Sequence, residues 1–182
     1  MLAATPTRLD QYFAIYTLGA AGTAEHYFPN ERANIYPGVR LSWFVGVYNH
    51  MGDVELVRVV FRLLNASMAG PNQLNETPSE RDPFYESSRL MLSNETWTLP
   101  IAWSISDATK SGSAITIRSI QMNDEILSQD VEVTAIGGYN FRMVIELWVF
   151  DETTGAFVFQ WTANGEPRVA WNQVWFNVTG TP

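Results

Sequence analysis

Along Val39–Asp53, VRLSWFVGVYNHMGD, the apolar residues Val39, Leu41, Trp43, Val45 and Val47 recur at every second position, with Arg40, Ser42, Phe44, Gly46 and Tyr48 between them. A period of two is that of a strand with one face in a core. Asn49–Asp53, centred on Gly52, has the composition of a turn, and beyond it Val57, Val59, Phe61 and Leu63 alternate with Arg58, Val60, Arg62 and Leu64. The two runs read as the arms of a β-hairpin, with Asn49 accommodating left-handed turn geometry. Later in the chain Tyr139, Phe141, Met143, Ile145, Leu147 and Val149 alternate with Asn140, Arg142, Val144, Glu146, Trp148 and Phe150, and Asp151–Gly155 turns them into Phe157, Phe159 and Trp161. The two hairpins are expected to supply facing halves of one core.

Tyr12–Leu18 is a first strand, ended by Gly19 and Gly22. In the run Trp97, Leu99, Ile101, Trp103, Ile105, the intervening Pro100 cannot donate a ladder hydrogen bond, which predicts an edge or a bulge. Ile115 and Ile117 fall in one phase and Ile120 and Met122 in the other, so a bulge is expected near Arg118 and Ser119. Glu125–Val133 is a weaker strand and Val174–Val178 the last. From about 65 to 95 the pattern dissolves into a long loop of Asn, Pro, Ser and Glu, with a helical turn or two over Phe84–Met91. Eight or nine strands, with no amphipathic helix of ordinary length, predict an all-β, two-sheet antiparallel sandwich occupying residues 1–182 as a single domain; a partly closed barrel is the alternative.

Composition narrows the setting. At 182 residues the chain can bury roughly 70% of its unfolded surface without a staple, and without cysteine it has no disulfide, thiolate metal site or cysteine nucleophile. A net charge of −8, with Lys110 the single lysine, repels polyanions, so neither nucleic acid nor an anionic membrane surface is an expected partner. No apolar run approaches the ~18–20 residues of a membrane span. The opening MLAATPTRLD lacks the regions of a signal peptide. The sequence is therefore expected to be either cytoplasmic or an ectodomain separated from a longer protein.

Candidate chemistry is sparse. His26 and His50 are far apart and read as loop histidines, and His50-Met51 in a turn is too little for a copper site. The acidic clusters Asp151-Glu152, Asp124-Glu125 and Glu80, Asp82 and Glu86 read as solvated turns rather than catalytic pairs or calcium loops. No phosphate loop, nucleophile elbow or HExxH helix occurs. No cofactor, metal or catalytic residue is expected, and the protein is not expected to be an enzyme. Trp43, Trp97, Trp103 and Trp161 are in phase with the core. Trp148, Trp171 and Trp175 are the candidates for a contact surface, for a sugar ring or a protein. Four acceptor patterns for glycosylation stand at Asn65, Asn75, Asn94 and Asn177, three of them in or beside the long loop.

The blocks YFAIYTLGAAGTAEHYFPN, YPGVRLSWFVGVYNHMG, NETWTLPIAW and YNFRMVIELWVFD followed by FVFQW span most of the chain from about Tyr12 to Trp161. They resemble the extracytoplasmic domain of an uncharacterised archaeal membrane-protein family, the domain of unknown function numbered 1616. The resemblance implies an immunoglobulin-like sandwich outside an archaeal cell membrane, tethered by membrane segments absent from this sequence. The function implied is non-catalytic: an interaction or structural domain of a cell-envelope protein with protein partners in the envelope. The alternative is a carbohydrate-binding module using the exposed aromatics.

Overall fold

In the computed structural model, which describes residues 10–180, the alternating runs form two stacked sheets. The first is ordered β1 (Tyr12–Leu18), β3 (Leu41–His50), β6 (Thr96–Ser111) and β7 (Ala114–Met122), with β8 (Glu125–Leu127) and β9 (Val133–Ile136) both on the far side of β7. The second is ordered β2 (Asn34–Ile35), β14 (Ala170–Val178), β10 (Phe141–Asp151), β4 (Glu55–Asn65) and β5 (Tyr85–Met91), with β11 (Ala156–Val158) paired to the end of β10. β12 (Trp161–Ala163) and β13 (Glu166–Arg168) make a small separate ladder. All ladders are antiparallel except β2 on β14. The architecture is the expected all-β, two-sheet antiparallel sandwich. The lead-in over residues 1–9 lies outside the described residues.

The inward residues of both sheets fill one core. Trp43 and Trp103, each 1% exposed, meet edge-to-face with centroids 4.9 Å apart. Phe61, Leu63, Phe141, Met143, Ile145 and Leu147 face them from the second sheet. Trp97 and Trp161 are buried as well. At Gly46 the ring of Tyr16, its cross-strand partner, covers the backbone so closely that a Cβ would stand 2.0 Å from the ring. Gly46→Ala is therefore expected to cost about 1–3 kcal/mol. The cost should shrink in a Tyr16→Ala background, which a double-mutant cycle of urea unfolding measures.

The hairpin expected over Val39–Leu64 does not exist. β3 pairs with β1 and β6, β4 with β10 and β5, and Asn49–Asp53 carries the chain from one sheet to the other. Two amphipathic strands joined by a turn bury their apolar faces equally well by pairing side by side or by facing each other, and alternation does not distinguish the two. The left-handed residue in this crossover is Gly52, at φ +92°. Asn49 has another role. Fully buried, its Oδ1 accepts from Met51 N (2.9 Å), and its Nδ2 donates to the carbonyls of Asp53 (2.9 Å), Leu92 (3.1 Å) and Met91 (3.3 Å). The later hairpin does form, though over three residue pairs only, and Trp161 leaves it for β12.

In place of the helical turn expected over Phe84–Met91, the chain forms the edge strand β5 from Tyr85 to Met91. Its inward positions are Tyr85, Ser87, Arg89 and Met91, and the polar pair Ser87 and Arg89 between the two core-facing ends interrupts the apolar period of two. The β6–β7 ladder skips Ser106 and Arg118, which places the expected bulge. Pro100 sits where β6 has β3 on one side and has run past the end of β7 on the other; its carbonyl points to that open flank, 3.4 Å from Asn123 Nδ2, so no ladder donor is missed.

Just past the crossover, burial, and after it the carboxylates of Asp53 and Glu152, raise Glu55 above its ordinary pKa. A carboxylate raised on folding opposes folding at any pH above its folded value, and the penalty fades as pH falls to the ordinary glutamate value. Glu55→Gln is thus expected to raise the urea midpoint at neutral pH and to leave it unchanged in acid below that value.

Candidate functional site

The outer face of the second sheet holds the most unusual chemistry of the fold. On β10, Arg142, Val144, Glu146 and Trp148 point away from the core. Register sets Leu64, Arg62, Val60 and Arg58 of β4 on one side of them and Trp175, Gln173 and Trp171 of β14 on the other. An outer face ordinarily meets water, yet Leu64, Val60, Arg62, Val144 and Glu146 are buried. The segment 66–84 crosses over them as a strap. Arg142 Nη2 donates to Met68 O (2.5 Å), Ser79 N to Glu146 Oε1 (2.8 Å), and Arg81 ties the strap to the carbonyls of Asp130 and Glu132. At its start Asn65 Oδ1 accepts from Ser67 N and Met68 N.

Beneath the strap lies an ion pair. Arg62 Nε donates to Glu146 Oε2 at 3.0 Å, and the two side chains are 7% and 0% exposed. Trp148 Nε1 donates to the same oxygen at 3.0 Å, so the carboxylate accepts three hydrogen bonds. A carboxylate held in this way is tolerated without water because its lone pairs are occupied.

Beside the pair a groove of about 290 Å³ opens. β4 supplies its floor with Val60 and Arg62. Asp82 and Pro83 of the strap, with Glu86 of β5, form one wall, and Trp148 and Phe157 the other. Arg58 lies over the Phe157 ring at 3.9 Å and pairs with Glu86 at 2.8 Å.

The three tryptophans singled out from the sequence therefore share one face. Trp148 lines the groove, Trp171 is half-buried opposite Glu146, and Trp175, 40% exposed, lies 5.0 Å from the Arg142 guanidinium. Burial lowers the Arg142 pKa, an effect that Glu80 opposes. Arg58, Arg62, Arg142 and Glu146 were not among the expected site residues. Their one signal in the sequence is a charge at alternate positions of otherwise apolar strands.

The four acceptor asparagines are scattered. Asn65 ends β4 and also donates to Thr134 O; Asn177 on β14 donates to Asn34 and accepts from Asn140 N. Asn94 lies in the β5–β6 turn, its Oδ1 2.7 Å from His50 Nδ1. Asn75 is exposed at the tip of the strap, beyond the Asn72–Thr77 bridge.

At the end of the sandwich a cleft of about 770 Å³ is lined by Gln11, His50, Ser93, Asn94 and Asn164 among others. His50 stacks on Tyr48 there, while Met51 turns into the core, so the neighbouring His and Met point apart. His26 stands in an exposed loop, 3.3 Å from Glu31. Among the described residues no three of His, Cys, Asp and Glu are grouped to hold a metal. Several loop acids serve local structure: Asp124 pairs with Arg40, and Asp151 accepts from Thr153 N, which lowers its pKa. No helix among the described residues is long and apolar enough to cross a membrane.

No protein-family model matches the chain, and no curated protein does. Among solved structures it is similar to the CARDB domain of a Pyrococcus furiosus protein determined in complex with di-metal ions, at 10% identity and a TM-score of 0.41, over 94% of this chain and 96% of that one. It is also similar to a β-glucosidase from Listeria innocua in complex with gluconolactone, at 8% identity and a TM-score of 0.37, over 92% of this chain and 16% of the enzyme. A mutant of that enzyme with laminaribiose gives 10% and 0.37, over 93% and 16%. At TM-scores below 0.5, none of these bears on what this chain binds.

Proposed function

We propose that this chain is a non-catalytic interaction domain of an archaeal cell-envelope protein, held at the membrane by segments outside it, and that the outer face of the second sheet is its contact surface. The observation that carries this reading is the placement of Trp148, Trp171 and Trp175 together on that face beside a strapped ion pair, outside the core that the other four tryptophans fill or border. Aromatic side chains beside arginines are the composition of interface centres. The envelope setting is supported by the sequence blocks described above, the acidic charge and the acceptor asparagines.

Pull-down from an envelope extract of the native host tests it. The wild-type domain is expected to retain a component that Trp175→Ser loses and that Thr98→Lys, on the outer face of the first sheet, keeps. Retention of nothing, or equal retention by both variants, overturns it. The extracytoplasmic setting has its own readout. Peptide mass spectrometry of host-derived protein is expected to find glycan at Asn75, whose side chain stands clear at the strap tip, and none at Asn65 or Asn177, whose amides are engaged at both ends.

A further inference from the structure

The groove beside Trp148 holds an incompletely used guanidinium. Arg62 is 5% exposed and its Nε is taken by Glu146, but its two terminal nitrogens make no hydrogen bond among the described residues, and the residue floors the groove. The two terminal nitrogens open onto the groove, where they are donors free for an acceptor arriving from outside. The charges around them select its kind. The lining carries two guanidiniums and two carboxylates, so it is balanced in charge, and with Arg58 paired to Glu86 and Arg62 to the buried Glu146, Asp82 is left unmatched. An anion gains nothing from such a field. A neutral ring bearing several hydroxyls can use all of it, accepting from Arg62 and donating to Asp82 and Glu86 while its apolar face rests on the Trp148 indole.

We propose that this groove binds one ring of a neutral saccharide, with Trp148 as the stacking platform and Arg62, Asp82 and Glu86 as its hydroxyl partners. The volume, about 290 Å³, lies at the lower end of ligand sites and suits a single ring. The inference rests on the outer face being the contact surface and names the chemistry of one part of it.

The test is titration of the whole domain with glucose, galactose, mannose and N-acetylglucosamine, and in parallel with glucuronate and inorganic phosphate, read by the Trp148 indole N–H resonance and by fluorescence. At least one neutral sugar is expected to shift that resonance saturably. Trp148→Ala should weaken binding by at least about tenfold, the loss of roughly one stacking contact. Asp82→Ala, at an exposed strap position, should weaken it as well, while Thr98→Lys, on the outer face of the first sheet, should leave it unchanged. No shift with any neutral sugar, a response to glucuronate or phosphate alone, or sugar binding that survives both Trp148→Ala and Asp82→Ala overturns the proposal. If sugars fail while Trp175-dependent retention persists, this inference falls and the interaction-domain reading stands. Sugar binding with no retained envelope component reverses that outcome.

Discussion

Glu146→Ala is expected to remove about 3–5 kcal/mol of folding stability, the cost of leaving a buried charge without its partner. The substitution strands the Arg62 guanidinium beneath the strap and deprives Ser79 N and Trp148 Nε1 of their acceptor. Each of those donors is costly to leave unpaired away from water. A conservative Glu146→Gln retains an acceptor but loses the charge, and should fall between wild type and alanine. The decisive variant is the double substitution Arg62→Met with Glu146→Leu. Because desolvating an ion pair offsets most of its attraction, an apolar pair of similar volume should recover most of the loss. Urea unfolding of the four proteins measures all of this. Near-equality of the double variant and Glu146→Ala would show that the strap depends on the carboxylate's hydrogen bonds and not on the fate of the charge.

Asn49→Asp is the second large effect. The side chain keeps its shape, but the donor that reaches the carbonyls of Asp53, Leu92 and Met91 becomes an oxygen facing three oxygens in a fully buried position. The site has no compensating cation, so the loss should reach or exceed about 3 kcal/mol. Asn49→Ala, which removes the side chain without adding a charge, should cost less than Asn49→Asp while still orphaning Met51 N. The same urea series checks the order. If aspartate proves the milder change, the amide network is not what holds the crossover.

These cases show which parts of the molecule were legible before the structure. Strand identity was readable wherever a strand has one apolar face: β3, β4, β6 and β10 all announce themselves by alternation. Partnership was not readable, because Val45 and Val59 look the same whether their strands pair or face each other. β5 was hidden because only the two ends of its inward phase, Tyr85 and Met91, meet the core, while Ser87 and Arg89 between them are polar at the sheet edge. For the candidate site, the phase of Trp148, opposite to Leu147 and Val149, placed it on the outer face correctly. Arg62 and Glu146 are separated by 84 residues and meet only through the β4–β10 register, which no local pattern encodes. Asn49 was seen but given a backbone role, since a turn asparagine and a buried amide clamp are identical in sequence.

Splitting β3 and β4 between sheets also sets the order in which the chain can fold. β4 cannot complete its pairing until β10, some 84 residues later, has emerged. Closing so long a loop is slow, and strand pairings of this range place folding at about milliseconds to seconds. Until then β4, ELVRVVFRLLN, is a β-prone segment with one edge open. Only Arg58 and Arg62 interrupt its apolar run. During that interval they act as gatekeepers against self-association, before they become the floor and rim of the groove.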